Sequence, residues 1–305
     1  MPARAAARGW LTTDTTFRTP VVFTSGKTVN LRAVLEPLRG LELELTAVRS
    51  VSENKSEYYT YDGYSFPERL RNPLSNGNFS MSVVALGTAF DRVRPGDGYR
   101  SEAFEAFRNN RTVIAARRAD ALVAADPAYH PAEGAMEGGQ NGYGLNAQQV
   151  LLPAFMAAYT GRSAGKISLK TIPGLLQMMP NWQLRFSGLR NLGFVERNFR
   201  SLSLNHSYRA LYSLGSYSGN PEYSDVREAA LMARDRQNNF IPEWNVTSVS
   251  ITEQFSPLLG LDMTFNNQLS LRVELRKSRM VTLSLANIQI TETLHDEYIF
   301  GVGYT

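Results

Sequence analysis

The chain has 305 residues and a formal net charge of +4 at pH 7, and 43% of its residues are hydrophobic while 20% are charged. This composition excludes a disordered chain, a collagen and a bundle of membrane helices. The chain contains no cysteine, which excludes disulfide scaffolds, thiolate metal sites and a cysteine nucleophile.

The N-terminal third has the alternation of apolar and polar residues that is typical of β-strands. The first eleven residues lack the apolar core of a secretory signal. Beyond them, period-two patterns with one apolar face predict antiparallel strands. These predicted strands are Val29–Leu35, Leu41–Ala47 and Phe79–Ala85. Pro37 and Gly40 mark a turn between the first two.

The middle of the chain has helical spacing instead. Residues Tyr99–Asp126 contain no glycine or proline, and their apolar residues recur at intervals that predict one long helix. A second helix is predicted after Asn146, whose side chain would cap it with Gln149 three positions later. Residues Pro131–Asn146 are predicted to form a glycine-rich loop between the two helices.

The second half returns to period-two alternation and predicts an up-and-down meander, which brings the total to roughly ten strands. The predicted strands are Trp182–Phe186, Leu202–Leu214, Val249–Phe255, Leu259–Phe265, Leu269–Leu275, Val281–Leu285 and Tyr298–Tyr304. Short turns are predicted at Ser256-Pro257, Asn266-Asn267 and Lys277-Ser278. The polar stretches Ser52–Gly77, Asp126–Asn146 and Ser216–Asn239 are too long for hairpin turns and are predicted to be insertions between strands.

These patterns divide the chain into three parts. Residues 1–98 are predicted to hold strands and loops, residues 99–161 a helical insertion, and residues 162–305 a meander with a long polar loop near 216–240. The predicted fold class is therefore mainly β, with antiparallel up-and-down strands and a helical insertion near residues 100–160.

No pattern in the sequence predicts catalysis. The segment Gly138–Gly144 has neither a preceding strand nor a following Lys-Ser/Thr, so a phosphate-binding loop is not supported. Gly215–Gly219 has tyrosine where a nucleophile elbow has serine. His206 is predicted to have a structural role, and Glu253 interrupts an apolar strand face. We expect no enzyme activity, no cofactor and no metal, and the dispersed basic residues give little support for a nucleic-acid partner.

Two kinds of antiparallel protein fit the alternation equally well. A soluble β-rich binding or adhesion module would bury the apolar face as a core, whereas an outer-membrane barrel would present it to lipid. Short turns, long loops and aromatic residues at strand ends are typical of the barrel. In a barrel, the candidate lipid-facing residues are Leu259, Leu261, Met263, Phe265, Leu269, Leu271, Val273, Leu275, Val281, Leu283, Leu285, Phe300 and Val302.

Several strings, taken in their order along the chain, resemble one family. They include Pro153–Gly161, Asn205–Arg209 and Ser250–Gly260. The sequence resembles the SprA/Sov family, the outer-membrane translocon of the type IX secretion system, over nearly all of its length from about Leu11. The positions that carry the resemblance are Pro153, Phe155, Tyr159, Gly161, Pro180, Asn181, Trp182, Asn205, His206, Tyr208, Arg209, Asn239, Phe240, Pro242, Glu253, Gln254, Phe255, Ser256 and Pro257.

The resemblance implies a place and a role for the chain. It implies part of a large transmembrane β-barrel in the outer membrane that exports folded cargo proteins with C-terminal sorting domains and that some relatives need for gliding motility. The implied partners are outer-membrane lipid, a PorV-type shuttle barrel, a plug protein and a periplasmic prolyl isomerase. Family members are several times longer and begin with an export signal, so we expect this chain to be a segment of the pore.

Overall fold

The computed structural model describes residues 2–17, 19–66, 74–91, 96, 98, 100–125, 142–191, 193–224, 226 and 233–304. The strands are β1 (Val21–Leu38), β2 (Leu41–Glu57), β3 (Leu74–Ser82), β4 (Asn181–Phe186), β5 (Phe199–Gly219), β6 (Trp244–Val246), β7 (Ser248–Phe265), β8 (Leu269–Ser284) and β9 (Gln289–Tyr304). The helices are α1 (Pro2–Ala7), α2 (Glu102–Ala125), α3 (Gln148–Thr160) and α4 (Gly193–Asn198). Single 3-10 turns lie at Leu86–Thr88, Leu175–Gln177 and Gly188–Asn191.

All nine strands of the described residues belong to one antiparallel sheet. Its main order is β1-β2-β3-β5-β7-β8-β9, with β4 between β2 and β5 and with β6 beside β5. Strands that follow one another in this order also follow one another along the chain, apart from the small off-path strands β4 and β6. The structure therefore confirms a mainly β, antiparallel, up-and-down architecture.

Strands β3 and β4 share one position in the sheet, which is interrupted between them. On β2, Arg49 pairs with Met81 of β3, and Thr46 pairs with Asn181 of β4. The chain leaves the sheet after Ser82, forms α2 and α3, and returns at Asn181 to continue the same strand position. Residues 83–180 are thus an insertion into a single strand, which we call the helical layer.

Hydrogen bonds close the gap between β3 and β4. The Asn181 side chain is buried, and its Oδ1 accepts a hydrogen bond from the Ala210 backbone N–H at 2.8 Å. The Ser82 hydroxyl accepts one from the Val48 N–H at 2.9 Å. Asn181 Nδ2 donates to Ser82 Oγ at 3.4 Å, so each strand beside the gap keeps a partner.

The helical layer packs on one face of the sheet and contains most of the hydrophobic core. In α3, every residue from Val150 to Thr160 is buried, including Phe155 and Tyr159. From α2, Phe107 and Ile114 pack against this core, as the sequence predicts, whereas Phe104 is exposed. Helix α3 ends at Gly161, whose φ of +67° is the left-handed conformation that glycine adopts without strain.

The predicted capping of α3 is wrong. The helix begins after Ala147, which is extended and provides no side-chain hydrogen bond. Asn146 Oδ1 instead accepts a hydrogen bond from Arg111 Nη1 of α2 at 3.0 Å. The Asn146 side chain therefore bonds α2 and does not cap α3.

Two of the predicted turns are also wrong. Ser256-Pro257 lies inside β7 and Lys277-Ser278 lies inside β8, whereas Asn266-Asn267 does form the β7–β8 turn. Phe255 pairs with Lys277 and Leu259 pairs with Leu275, so β7 has two more residues here than β8. The residues that the sequence assigned to a turn form a bulge in β7. Pairing with β5 and β8 on both sides of the bulge keeps β7 in the sheet.

The polar insertions are shorter than the sequence predicts, because the strands extend into them. Strand β2 continues to Glu57, β3 begins at Leu74, and β5 continues to Gly219. The predicted glycine-rich loop lies largely outside the described residues, which resume at Gly142.

We expect Asn181→Ala to lower the free energy of unfolding by about 1 to 3 kcal/mol, because the buried Ala210 N–H loses its acceptor. Asn245→Ala is the matched control, since Asn245 is exposed and its side chain bonds only Asn220 at 3.2 Å; its effect should stay within about 0.5 kcal/mol. Denaturant titration of both variants measures this difference, and equal unfolding free energies would contradict the role of Asn181 at the gap.

Candidate functional site: an apolar band below the helical layer

One face of the sheet is apolar at both ends, with Glu253, Lys277 and Arg279 between the two apolar parts, and the helical layer covers only one of these parts. The uncovered part can be followed by register: Leu204 pairs with Leu261, Leu261 with Val273, and Val273 with Phe300. We call this uncovered part the apolar band. Its members are Leu31, Ala33, Leu35, Leu41, Leu43, Leu45, Trp182, Leu184, Phe186, Leu202, Leu204, Leu259, Leu261, Met263, Phe265, Leu269, Leu271, Val273, Leu275, Tyr298, Phe300, Val302 and Tyr304.

Every side chain of the apolar band is at least partly exposed; those on the edge strands β1 and β9 are the most exposed, and those on the inner strands are half-buried apart from Leu259. Leu259 is 53% exposed, and Phe300 and Val302 are more than 70% exposed. On the same face of the sheet but beneath the helical layer, Val281 is 1% exposed and Leu283 is fully buried. An uncovered apolar surface that crosses a whole sheet marks a contact with lipid or with another protein.

The apolar band has a defined height and aromatic residues at both of its ends. From Leu269 to Leu275 it extends about 20 Å along β8, at about 3.4 Å per residue. Aromatic rings lie at both ends. The tilted rings of Phe199 and Phe265 lie with centroids 4.7 Å apart near the β7–β8 turn, and at the end next to the helical layer Trp182 and Tyr208 stack at 4.3 Å.

The opposite face of the same strands is mainly polar. On β8 this face carries the sequence Ser270, Arg272, Glu274, Arg276, Ser278, Met280, Thr282 and Ser284. Glu274 is 4% exposed because Arg272 and Arg276 bind its two carboxylate oxygens, at 2.7 Å from Arg272 Nε and 2.8 Å from Arg276 Nη2. Beside them, Asn205 Nδ2 donates to Asp262 at 2.7 Å. This face can contact water along the full length of the strands.

The two ends of the sheet have different connections. At the end of the apolar band, β1 and β2 are joined by residues 39–40, β7 and β8 by 266–268, and β4 and β5 by 187–198. At the other end lie the described parts of two long connections, residues 58–66 and residues 220–224 with 233–243, together with the helical layer and one short turn at 285–288. Nearly all of the long connections therefore lie away from the apolar band.

A buried polar network joins the helical layer to the sheet. Tyr208 donates its hydroxyl hydrogen to Glu253 Oε1 at 2.7 Å and accepts a hydrogen bond from the Ala85 N–H at 2.7 Å. Arg279 pairs with Glu253 across β7 and β8 and donates from Nη1 to the Thr88 carbonyl oxygen at 2.7 Å. The network fastens the start of the helical layer, residues 85–88, to two strands.

Arg279 has further partners that explain how its charge is buried. Its side chain is 3% exposed and donates from Nε to Glu292 of β9 at 2.7 Å. The same guanidinium donates to the Thr88 hydroxyl at 2.8 Å, and that hydroxyl donates to the Tyr159 carbonyl of α3 at 2.9 Å. The sequence singled out Glu253 but not Arg279, because only the strand register shows that the two residues face each other.

Residues from three of the family-like strings meet at the upper end of the apolar band. The Trp182 ring lies 4.3 Å from Tyr208 and 6.4 Å from His206, and Phe255 lies 5.0 Å from Tyr208. His206 Nδ1 bonds the Leu258 carbonyl oxygen in the bulge of β7 at 2.7 Å, which is the structural role predicted for it. We call these four rings the aromatic cluster.

The other family-like positions are distributed over the structure. Pro153, Phe155 and Tyr159 lie in α3, Gly161 ends it, and Pro180 directly precedes Asn181, the first residue of β4. Asn239 Oδ1 accepts a hydrogen bond from the Gly144 N–H at 2.8 Å, next to Phe240 and Pro242. Asn205 and Arg209 of β5 lie on the polar face of the sheet, as does Gln254, and Ser256 and Pro257 form the bulge.

Ten of the thirteen candidate lipid-facing residues belong to the apolar band. Val281 and Leu283 do not, and their assignment to lipid is corrected here: both lie in the hydrophobic core beneath the helical layer. Leu285 is half-buried against the same core. Alternation predicts which face a residue is on, but it does not predict where along the strand a second layer covers that face.

A cleft of about 660 Å³ lies between α2 and residues 169–172 and 242–244. Tyr143 and Trp244 line it beside Arg118, whose pKa is lowered because burial disfavours the charged form. Arg118 Nε already donates to the Gln149 carbonyl oxygen at 2.7 Å, and its Nη2 donates to that of Leu169. The Arg118 guanidinium is therefore already bonded to backbone carbonyl groups of the helical layer.

Within the described residues, no cluster of three or more His, Asp or Glu side chains is arranged to hold a metal ion. No helix in that part of the chain is both long enough and apolar enough to cross a bilayer. No protein-family model matches the chain, and no curated protein matches it.

We expect Arg279→Leu to destabilise the protein by about 3 to 5 kcal/mol, because it leaves the Glu292 carboxylate and the buried Thr88 carbonyl without their cation. The control is Arg32→Leu, which removes an ion pair to Glu44 in which the arginine side chain is 67% exposed and which is worth at most about 1 kcal/mol.

Hydrogen exchange resolved by residue distinguishes the two variants. Arg279→Leu should increase exchange in residues 85–88 and in α3 before it does so in β5. An unchanged exchange rate in α3 would show that the network does not fasten the helical layer.

Proposed function

We propose that the chain forms part of the wall of a protein-conducting β-barrel in the outer membrane, the translocon of the type IX secretion system. The observation that carries the proposal is the exposed apolar band, which crosses seven adjacent strand positions and is backed by a mainly polar face. The ordered strings that resemble the SprA/Sov family select this translocon among outer-membrane barrels.

The chemistry of the two faces supports this assignment. Transmembrane barrels present an outward apolar band about 25 Å tall between two girdles of aromatic residues. The apolar band here extends about 20 Å along β8, with rings of Phe265 and Tyr304 at one end and of Trp182 and Tyr298 at the other. On this proposal the band contacts lipid, and the Arg272–Glu274–Arg276 face lines a wet lumen.

The edges of the sheet impose a further requirement. Within the described residues, β1 and β9 are each paired along one side only, over 18 and 16 residues. In hydrocarbon each unpaired backbone group costs several kcal/mol, so only a closed barrel can span the membrane. The proposal therefore needs further strands beside β1 and β9, and more strands also widen the lumen enough for protein cargo.

The connections give the wall an orientation. Outer-membrane barrels have short turns on the periplasmic side and long loops outside. The β7–β8 turn at 266–268 would then face the periplasm, and the helical layer would lie at the cell surface. From the family resemblance, the partners are a PorV-type shuttle barrel, a plug protein, a periplasmic prolyl isomerase and cargo with C-terminal sorting domains.

Neighbouring residues of β7 test the facing of the wall. Because the chain has no cysteine, Leu261→Cys and Asp262→Cys can each carry a single nitroxide label. With the protein in the outer membrane, the label at Leu261 should be relaxed mainly by oxygen, which concentrates in lipid. The label at Asp262 should be relaxed mainly by a water-soluble nickel complex. Equal nickel access at both positions would refute a lipid-facing band.

Placing a charge in the apolar band tests the same surface through its effect on the free energy of unfolding. Leu271→Arg should destabilise the membrane-embedded protein by about 2 to 4 kcal/mol if that position lies near the bilayer midplane. Thr264→Arg is the matched control on the polar face, because Thr264 pairs with Ser270 across β7 and β8, and we expect it to be tolerated. Denaturant unfolding from lipid vesicles measures both. Tolerance of arginine at position 271 would contradict the proposal.

A further inference from the structure

The lower rim of the helical layer exposes large apolar side chains on an ordered turn. Leu176 is 96% exposed and Leu175 is 52% exposed, both in the 3-10 turn Leu175–Gln177. Elsewhere in the same connection apolar residues are covered: Ile167 is 2% exposed, and Met178 packs against the core. The two leucines are therefore exceptions within a segment that otherwise buries its apolar residues.

Hydrogen bonds hold this turn in place at both ends. Arg49 of β2 donates to the Pro173 carbonyl oxygen at 3.1 Å from Nε and at 2.9 Å from Nη2. Arg162 Nη1 donates to the Gln177 side-chain oxygen at 3.0 Å, and the Met179 N–H donates to the Ser82 carbonyl at 3.0 Å. The exposure of the leucines thus results from a fixed backbone.

The turn lies beside the apolar band and on the same face of the sheet. Arg49 points into the helical layer, where its guanidinium lies 5.1 Å from the core ring of Phe79. Asn181, the first residue of β4, comes five positions after Leu176, so the two lie within about 18 Å. The next residue of β4, Trp182, belongs to the apolar band.

Phe90 is a third exposed apolar side chain at the boundary between the helical layer and the apolar band. Phe90 is 54% exposed, and its ring lies 5.5 Å from Phe255 of the aromatic cluster. Lys277 Nζ lies 4.6 Å from the Phe90 ring centroid. Phe90 therefore marks the boundary at which the helical layer ends and the apolar band begins.

The charged residues of the segment that carries the turn are cations. Residues 161–180 contain Arg162, Lys166 and Lys170 and no acidic residue. Lys166 is exposed and lies four positions after Arg162, which bonds the turn at Gln177. Lys170 is also exposed, but it lines the cleft beside Glu243, at the end of the sheet away from the apolar band. Exposed leucines beside flexible cations are the combination that binds a surface of anionic lipid headgroups, in which apolar side chains insert and cations pair with phosphate.

We propose that Leu175, Leu176 and Phe90 form a membrane-surface anchor that enters the headgroup layer of the outer leaflet, with Lys166 paired to anionic headgroups. This inference rests on the proposed function, because it requires the apolar band to lie in the membrane. The anchor fixes the helical layer down onto the bilayer beside the barrel wall. The lipid surface is favoured over a protein partner because the rim continues the apolar band and adds positive charge.

Nitroxide labels in the assembled outer-membrane protein test the anchor. The label in Leu176→Cys should be relaxed several-fold more by oxygen than by the nickel complex, at a shallower depth than the label at Leu261. The control is Glu222→Cys, because Glu222 is exposed and follows the end of β5, which extends eleven residues, about 36 Å, beyond Tyr208. Its label should be open to nickel.

The outcomes separate this inference from the proposed function. If Leu261 and Asp262 differ as expected but the Leu176 label is as open to nickel as the Glu222 label, the anchor is refuted and the wall stands. A Leu176 label shielded from both reagents would show a covering protein and also refute the anchor. Equal nickel access at Leu261 and Asp262 would refute the proposed function itself.

A charge reversal checks the role of Lys166. Lys166→Glu should raise nickel access at the Leu176 label several-fold, because the cation no longer holds the turn against anionic headgroups. Lys170→Glu is the matched control: this lysine is exposed too but lines the cleft away from the apolar band, so nickel access at Leu176 should stay unchanged. Unchanged oxygen access at Leu261 shows that the wall is intact in both variants. No change at Leu176 in Lys166→Glu would overturn the part of the proposal that assigns headgroup pairing to this lysine.

Discussion

The structure depends on the mismatch between the length of its strands and the reach of its helical layer. Six strands run for 16 to 21 residues, and each presents apolar side chains on the same face. The helices cover this face only at one end, where Val281 and Leu283 are buried. The other end, from Leu269 to Leu275, is left with an apolar surface that water does not favour. Each half of one sheet face therefore requires a different environment.

The split strand is what allows one sheet to serve both environments. Because β3 ends at Ser82 and β4 resumes at Asn181 in the same position, the helical layer can be added without changing the register of β2 or β5. Only the backbone groups at the gap need new partners, and the Asn181 and Ser82 side chains supply them. A layer inserted in this way is joined covalently to the sheet at the boundary between its two zones.

Much of the fold could be predicted from the sequence, because period-two alternation depends only on local geometry. The meander, the long helix and the turn at Asn266-Asn267 are of this kind. The failures are at positions where tertiary contacts override local signals. Pro257 reads as a turn but lies in a bulge whose carbonyl group at Leu258 is bonded by His206. Asn146 reads as a cap but bonds Arg111.

Tertiary contacts also limited the prediction of the candidate surface. The sequence identified the face on which Val281, Leu283 and Leu271 lie, but not that the helical layer covers the first two. Arg279 was missed because a charged residue in an alternating strand normally lies on the polar face, whereas this one points into the core, faces Glu253 by register and forms its ion pair there with Glu292. Such a position is visible only when the strand register is known.

The side on which the helices pack bears on how the proposed pore works. The helical layer lies on the apolar face, so the polar face with Arg272, Glu274 and Arg276 is not covered by it. In the proposed barrel the apolar face points outward, which places the helices outside the wall and above the membrane. An insertion in that position does not occupy the lumen, so closing of the channel has to come from elements other than α2 and α3.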